Sequence, residues 1–127
     1  MSAKYGLTIT EWQIMELLWS REEPMTFQEI MEYANTEWNK SWKAQTLNTF
    51  LLGLKKMGIV RAEKRLPSCN GYSALCTKEQ LIHRWTRKVI EEYFNNSFSG
   101  FVTAFIGEEK LSDKEKEEIR EELKKLL

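Results

Sequence analysis

Cysteine is nearly missing from this chain: Cys69 and Cys76 are the only two in 127 residues. Seven residues apart, they lack the ligand count of a zinc site, and an intracellular pair is expected to stay reduced, with no redox role. Histidine and aspartate occur once each, as His83 and Asp113. A hydrolytic triad would need that one imidazole and distant carboxylates, so an enzyme is not expected, and neither is a cofactor or a metal. No apolar run approaches the length of a membrane span, and the N-terminus lacks the apolar stretch of a signal peptide. A cytoplasmic protein is the expectation. Net charge is absent too, 19 basic residues balancing 19 acidic ones. Taken alone, that zero argues against a nucleic-acid binder.

The distribution of charge argues the other way. Residues 1–37 hold Lys4 and Arg21 against seven glutamates. Residues 38–65 hold Lys40, Lys43, Lys55, Lys56, Arg61, Lys64 and Arg65 against Glu63 alone. A local basic patch, not the overall balance, is what meets phosphate. The length suits one ordinary domain or a small domain with an appendage, and an apolar fraction of 42% with 12% aromatics supplies a core.

The basic block surrounds one stretch, Lys43–Gly58. Leu47, Phe50, Leu51 and Leu54 recur at i, i+3, i+4, i+7, the stripe of a helix with one buried face. Gln45, Asn48, Thr49 and Leu52 recur at the same spacing on the other side. Three of those four are short hydrogen-bonding side chains, not the Glu/Lys mixture of a solvated face. Such a face can read base edges in a major groove. It can equally be an ordinary polar surface, and on this segment alone the two readings balance. Gly58 is placed to end the helix.

The flanks tip the balance. Thr10–Gln13 has the pattern of a capping box opening a first helix, with Trp12, Ile14, Met15, Leu18 and Trp19 on a wide apolar face. Thr26–Glu29 opens a second, with Phe27, Ile30, Met31 and Ala34 inward and Glu29 and Glu32 outward. Trp38 and Trp42 follow as expected core plugs. Three short helices, the third basic-flanked, suggest a helix-turn-helix. Ile59–Arg65, the turn cluster Leu66–Gly71 and a returning strand Tyr72–Leu75 then read as the two-stranded wing of a winged helix. Arg61, Lys64 and Arg65 would pass the phosphate backbone, although charges on an edge strand also guard against aggregation.

Beyond Thr77 the chain changes character. Lys78–Asn96 reads as a long helix with Leu81, Ile82, Trp85, Val89, Ile90, Tyr93 and Phe94. Phe98, Phe101, Val102, Phe105 and Ile106 form a second stripe, closed by Gly107. Ser112–Glu115 is a capping box before a last helix with Ile119, Leu123, Leu126 and Leu127. A fragment of this size rarely builds its own core, and pairing with a second copy is the preferred expectation. Leu81, Trp85, Val89, Tyr93, Phe98, Phe101, Val102, Phe105, Ile119 and Leu123 are the expected dimer contacts. The fold class is mainly α, with a winged helix-turn-helix over residues 1–77 and a three-helix dimerisation region over 78–127.

In this order the motifs resemble the penicillinase-repressor family of bacterial winged-helix transcriptional repressors, from about Leu7 to Leu127. Leu7–Trp19 is similar to the family's opening helix, with Glu11, Ile14, Met15, Leu18 and Trp19 on its pattern. Trp42, Thr46, Thr49, Leu51, Leu54, Lys56 and Gly58 match its recognition helix, and Leu111–Ile119 looks like the start of its last helix. The resemblance implies a homodimer on palindromic double-stranded operator DNA. Gln45, Thr46, Asn48 and Thr49 fall where the family contacts DNA, with Lys43, Lys55, Lys56, Arg61, Lys64 and Arg65 supplying salt-dependent affinity.

The departures are specific. Lys43 replaces the family's Ser/Thr cap, Gly53 replaces an arginine, and Leu66-Pro67-Ser68 replaces a Gly-Arg wing tip. Members that respond to β-lactams are cut at an Asn-Phe bond after a membrane sensor protease signals; the corresponding pair here is Ala104-Phe105. Copper-responsive members carry a C-terminal Cys-x-Cys array, and Glu121–Leu127 has no cysteine.

Two other functions fit parts of the sequence. Trp85, Tyr93, Phe94, Phe98, Phe101 and Phe105 could line a small-molecule pocket, although an aromatic dimer core is the commoner outcome at such spacing. Zero net charge and Gly53 suit a winged helix that binds protein and not DNA.

Overall fold

Side-chain caps and buried stripes decide where the helices begin and which way they face. The computed structural model describes residues 3–66, 69–107 and 110–127, without the side chains of Ala3, Arg65 and Leu66. Helix α1 runs Ile9–Trp19 and opens on Thr8, not Thr10. Thr8 Oγ1 accepts from the Glu11 N–H at 3.1 Å, and the Thr8 N–H donates to the Glu11 carboxylate at 2.8 Å. The expected box at Thr10–Gln13 therefore gives way to one two residues earlier. The glutamate supplies a charged acceptor that the positive end of the helix favours, which glutamine does not. Helix α2, Phe27–Glu37, opens on the Thr26–Glu29 box as its sequence pattern requires.

Helix α3 spans Ala44–Lys56. It ends in the Schellman arrangement: Gly58 has φ +76°, its N–H donates to Lys55 O at 2.9 Å, and the Ile59 N–H reaches Leu54 O at 3.2 Å. The first unit's core is built where the three helices meet. Ile14 and Met15 of α1, Ile30 of α2, and Leu47, Leu51 and Leu54 of α3 are sealed in one cluster. Trp38 and Trp42 are half-buried against it, linked edge-on to Tyr33 and to each other, with Phe50 beyond Trp42.

Two small sheets complete this unit. Strands β1 (Ala3–Lys4) and β2 (Leu7–Thr8) form an antiparallel hairpin across Tyr5 and Gly6, both at positive φ. The second sheet has β3 (Met25–Thr26), β4 (Val60–Leu66) and β5 (Cys69–Ala74) in the order β3-β5-β4. Strands β4 and β5 are the wing. The return strand starts at Cys69 and not at Tyr72, because Asn70 and Gly71 pair with Lys64 and Glu63 and are drawn into the ladder. Pro67 and Ser68 of the expected turn lie outside the described residues. Strand β3 anchors the wing's base to the start of α2, with Met25 opposite Tyr72 and Thr26 opposite Gly71.

Helix α4 runs Lys78–Phe94 and opens on a Thr77–Gln80 box. The chain divides into two units, Met1–Thr86 and Arg87–Leu127, so the division falls inside α4. Within the first unit, Leu81 is sealed in the core, 4% exposed. Trp85 packs edge-on against Tyr5 at 5.4 Å.

In the second unit α4 stops at Phe94, two residues short of the expected end, where Asn95 and Asn96 take positive φ. The Asn96 N–H caps Ile90 O at 3.0 Å. Helix α5, Phe98–Ile106, starts on Ser97, whose hydroxyl accepts from the Gly100 N–H. Helix α6, Asp113–Leu126, opens on the Ser112–Glu115 box. Phe101 collects the rings of Phe94, Phe98 and Phe105 at 5.5, 6.4 and 6.4 Å. Much apolar surface stays open: Tyr93 and Phe105 are each 74% exposed, and Phe98, Ile119 and Leu123 are exposed as well.

Candidate nucleic-acid interface

Helix α3 presents two chemically different sides. Its inner side is sealed at Leu47, Leu51 and Leu54. On its outer side Gln45, Thr46, Asn48, Thr49 and Leu52 are all exposed. Among the described residues, the side chains of Gln45, Thr46 and Asn48 have no hydrogen-bond partner. Thr49 differs: its hydroxyl donates to Gln45 O at 2.9 Å, one turn back on the same helix. Its proton is therefore spent internally, and its methyl group and lone pairs are what it can offer outward.

The start of α3 is held by a residue that the sequence reading did not single out. Asn35 Oδ1 accepts from the Trp42 N–H at 2.9 Å, and Asn35 Nδ2 donates to Trp42 O at 3.2 Å. This two-point clamp fixes the segment entering the helix, which also turns through Asn39 at positive φ. The first helical amides themselves get no such help. Lys43 is the N-cap and makes no side-chain cap bond; its carbonyl takes the Thr46 N–H at 3.0 Å.

Basic side chains frame this face. Lys43, Lys55, Lys56 and Lys64 are exposed, and among the described residues none has a carboxylate partner. Arg61 is exposed but engaged, its guanidinium 3.5 Å from Glu63, its neighbour on the same side of β4. The side chain of Arg65 lies outside the described residues. Gly53, where the family resemblance places arginine, is half-buried beside α1: a Cβ there would stand 3.7 Å from Glu11 Oε2.

At the far end of α3, Arg84 of α4 donates from Nη2 to Met57 O at 2.7 Å. Burial pushes the Cys76 thiol up, and the same guanidinium opposes that shift. Among the described residues no group of histidine, cysteine and carboxylate side chains is placed to hold a metal. No described helix is long and apolar enough to cross a membrane.

Of the expected dimer contacts, Trp85, Tyr93, Phe98, Phe105, Ile119 and Leu123 are exposed, while Val89, Phe101 and Val102 are half-buried. Leu81 belongs to the core of the first unit instead, because the first turn of α4 packs it there.

The chain is similar to known proteins over nearly all its length. A solved structure of a MepR mutant, from a multidrug-resistant Staphylococcus aureus clinical isolate, aligns with a TM-score of 0.48 and 13% identity, covering 96% of this chain and 78% of that one. The methicillin resistance regulatory protein MecI of Staphylococcus aureus strain N315 is 26% identical over 121 residues, 95% of each chain. MecI of Mammaliicoccus sciuri is 25% identical over the same length and coverage. The penicillinase repressor family profile matches residues 7–125, and the chain belongs to that family of winged-helix transcriptional repressors.

Proposed function

We propose that this protein is a homodimeric repressor that binds a palindromic operator in double-stranded DNA, with α3 in the major groove and the β4–β5 wing along the backbone. The observation that carries the reading is the outer side of α3, where the exposed side chains of Gln45 and Asn48, without a hydrogen-bond partner among the described residues, stand between Lys43 on one end and Lys55 and Lys56 on the other. Amide side chains pair bidentately with adenine, and a threonine methyl packs on thymine. Lys43, Lys55, Lys56 and Lys64 supply the phosphate contacts and the salt dependence, joined by Arg61 once phosphate competes with Glu63. The chemistry is binding, not catalysis.

The second unit supplies the pairing. Tyr93, Phe98, Phe105, Ile119 and Leu123 are exposed apolar side chains, and a second copy covers them. Two copies then address two half-sites about one helical turn, or a multiple of it, apart. The MecI relatives are named as regulators of methicillin resistance; a link from this chain to an upstream membrane sensor protease is the corresponding proposal for its signal.

The test is selection of duplexes from a randomised pool by the full chain, followed by binding assays on the enriched sequence and on random DNA. Asn48→Ala is expected to erase the difference between the two. Lys64→Ala is expected to weaken both alike and lower the salt slope by about 1. Failure to enrich any sequence, or equal losses on both duplexes for Asn48→Ala, would count against base reading by this face.

A further inference from the structure

The outer face of α3 can read bases only if the helix is held at a fixed angle and depth, and its two ends are held differently. Asn35 clamps the entry through the backbone of Trp42. The exit is a Schellman turn in which Gly53, Leu54 and Lys55 carbonyls are taken by the N–H groups of Met57, Ile59 and Gly58. Met57 is the C-cap residue, and its carbonyl lies at the negative end of the helix. It receives the Arg84 guanidinium at 2.7 Å, from 27 residues further along the chain. A cation at that end is favoured by the helix dipole as well as by the bond itself.

Arg84 is a fixed point. Three residues before it, Leu81 is sealed in the core. The next residue, Trp85, packs against Tyr5 and stands 3.4 Å from where a Cβ on Gly6 would lie. The helical turn that carries the guanidinium is thus pinned on both sides, by the core and by the β1–β2 hairpin.

We propose that Arg84 is a positioning residue for base recognition: it ties the C-terminal end of α3 to α4 and so sets the pose in which Gln45, Asn48 and Thr49 meet the groove. This rests on the DNA-binding reading above. Arg84 is itself exposed, so the alternative role is a phosphate contact, and the two roles have different signatures. A positioning residue affects sequence-specific binding and leaves the electrostatic component unchanged. A phosphate contact affects all sequences and carries one unit of salt dependence.

The test uses the full chain and two duplexes of equal length, one selected by the wild-type chain from a randomised pool and one of random sequence. Arg84→Met keeps the apolar stem and removes the donor; Arg84→Lys keeps a charged donor. Arg84→Met is expected to lose about tenfold in the ratio of selected to random affinity, the worth of one bidentate base contact. Its affinity for random DNA and its salt slope should match the wild type, and Arg84→Lys should recover part of the ratio. In the free protein the amide resonances of Gly58 and Ile59 should shift in Arg84→Met and return toward the wild type in Arg84→Lys.

An unchanged ratio in Arg84→Met overturns the proposal while leaving DNA binding intact. So does an equal loss on both duplexes with a salt slope lower by about 1, which makes Arg84 a phosphate contact. A wild-type chain that enriches no sequence removes the DNA-binding reading and this inference with it.

Discussion

Gly53 of α3 faces Glu11 of α1: a Cβ on the glycine would lie 3.7 Å from Glu11 Oε2, at ordinary contact distance. The position therefore borders the neighbouring helix, and an arginine there has the Glu11 carboxylate as a near partner. The Glu11 carboxylate already accepts from the Thr8 N–H through its other oxygen. Gly53→Ala meets no clash and recovers helix propensity, so it should raise unfolding free energy by about 1 kcal/mol. Urea denaturation checks the gain. Binding to the selected duplex should stay at the wild-type level, and a loss there would mean that close backbone approach at residue 53 matters for DNA.

Thr49 makes a sharper case on the exposed side. Its hydroxyl proton is committed to Gln45 O, so it can offer a thymine its methyl group but no donor. Thr49→Val keeps the methyl and should retain base preference. Thr49→Ser keeps the hydroxyl, loses the methyl, and should lose discrimination at one thymine by about 1 kcal/mol. Binding to a panel of singly substituted duplexes separates the two variants, and the reverse ranking would assign the hydroxyl to the base.

Asn35 bonds both backbone groups of Trp42. Asn35→Ala leaves that half-buried pair without partners and should cost about 1–3 kcal/mol of stability. Because the lost bonds lie at the entry to α3, the Thr46 and Leu47 amides, which both donate to Lys43 O, should also exchange faster with solvent than in the wild type. Normal exchange at those two amides with the same loss of stability would place the damage elsewhere.

These residues also mark how far the sequence is legible. The two sides of α3 follow from spacing alone, since a 3.6-residue period sorts Leu47, Leu51 and Leu54 from Gln45, Asn48 and Thr49. The caps at Thr26 and Ser112 are equally local, and Thr77–Gln80 carries the same pattern. At Thr8 the local rule misleads by two residues, because Thr10 offers a competing pattern whose third position is glutamine. Strand β3 has two residues, too few to show a period, and exists because Tyr72 and Gly71 pair with it. The bonds from Asn35 to Trp42 and from Arg84 to Met57 span 7 and 27 residues. No repeat or motif announces such contacts; they arise only when helices pack.

The Ser112 backbone N–H, and then its hydroxyl, hold the Glu115 carboxyl below the usual carboxylate range. A carboxyl lowered by folding favours the folded form above its ordinary value, and that contribution is lost as pH falls through the lowered one. The start of α6 should therefore fray on acidification, seen as lower protection of the Glu115 and Lys116 amides relative to their intrinsic exchange rate at each pH. Glu115→Gln keeps the geometry of the cap without the titration, so its exchange should show no such acid step.

Phe105 and Leu123 test the pairing. Phe105 is 74% exposed in α5 and Leu123 is exposed in α6, so neither holds up the fold of a single chain. Phe105→Glu places a charge on the surface that a second copy is proposed to cover. Burying an unpaired carboxylate there costs more than the contact returns, and sedimentation should find monomers for the variant and dimers for the wild type. Circular dichroism should stay at the wild-type level, because the core around α3 is untouched. Each monomer still binds one half-site, but the second contact is no longer intramolecular, so affinity for the full palindrome should fall by about a hundredfold. Affinity for an isolated half-site should not change. If the variant still sediments as a dimer and binds the palindrome as before, the exposed faces of α5 and α6 are not what joins two copies.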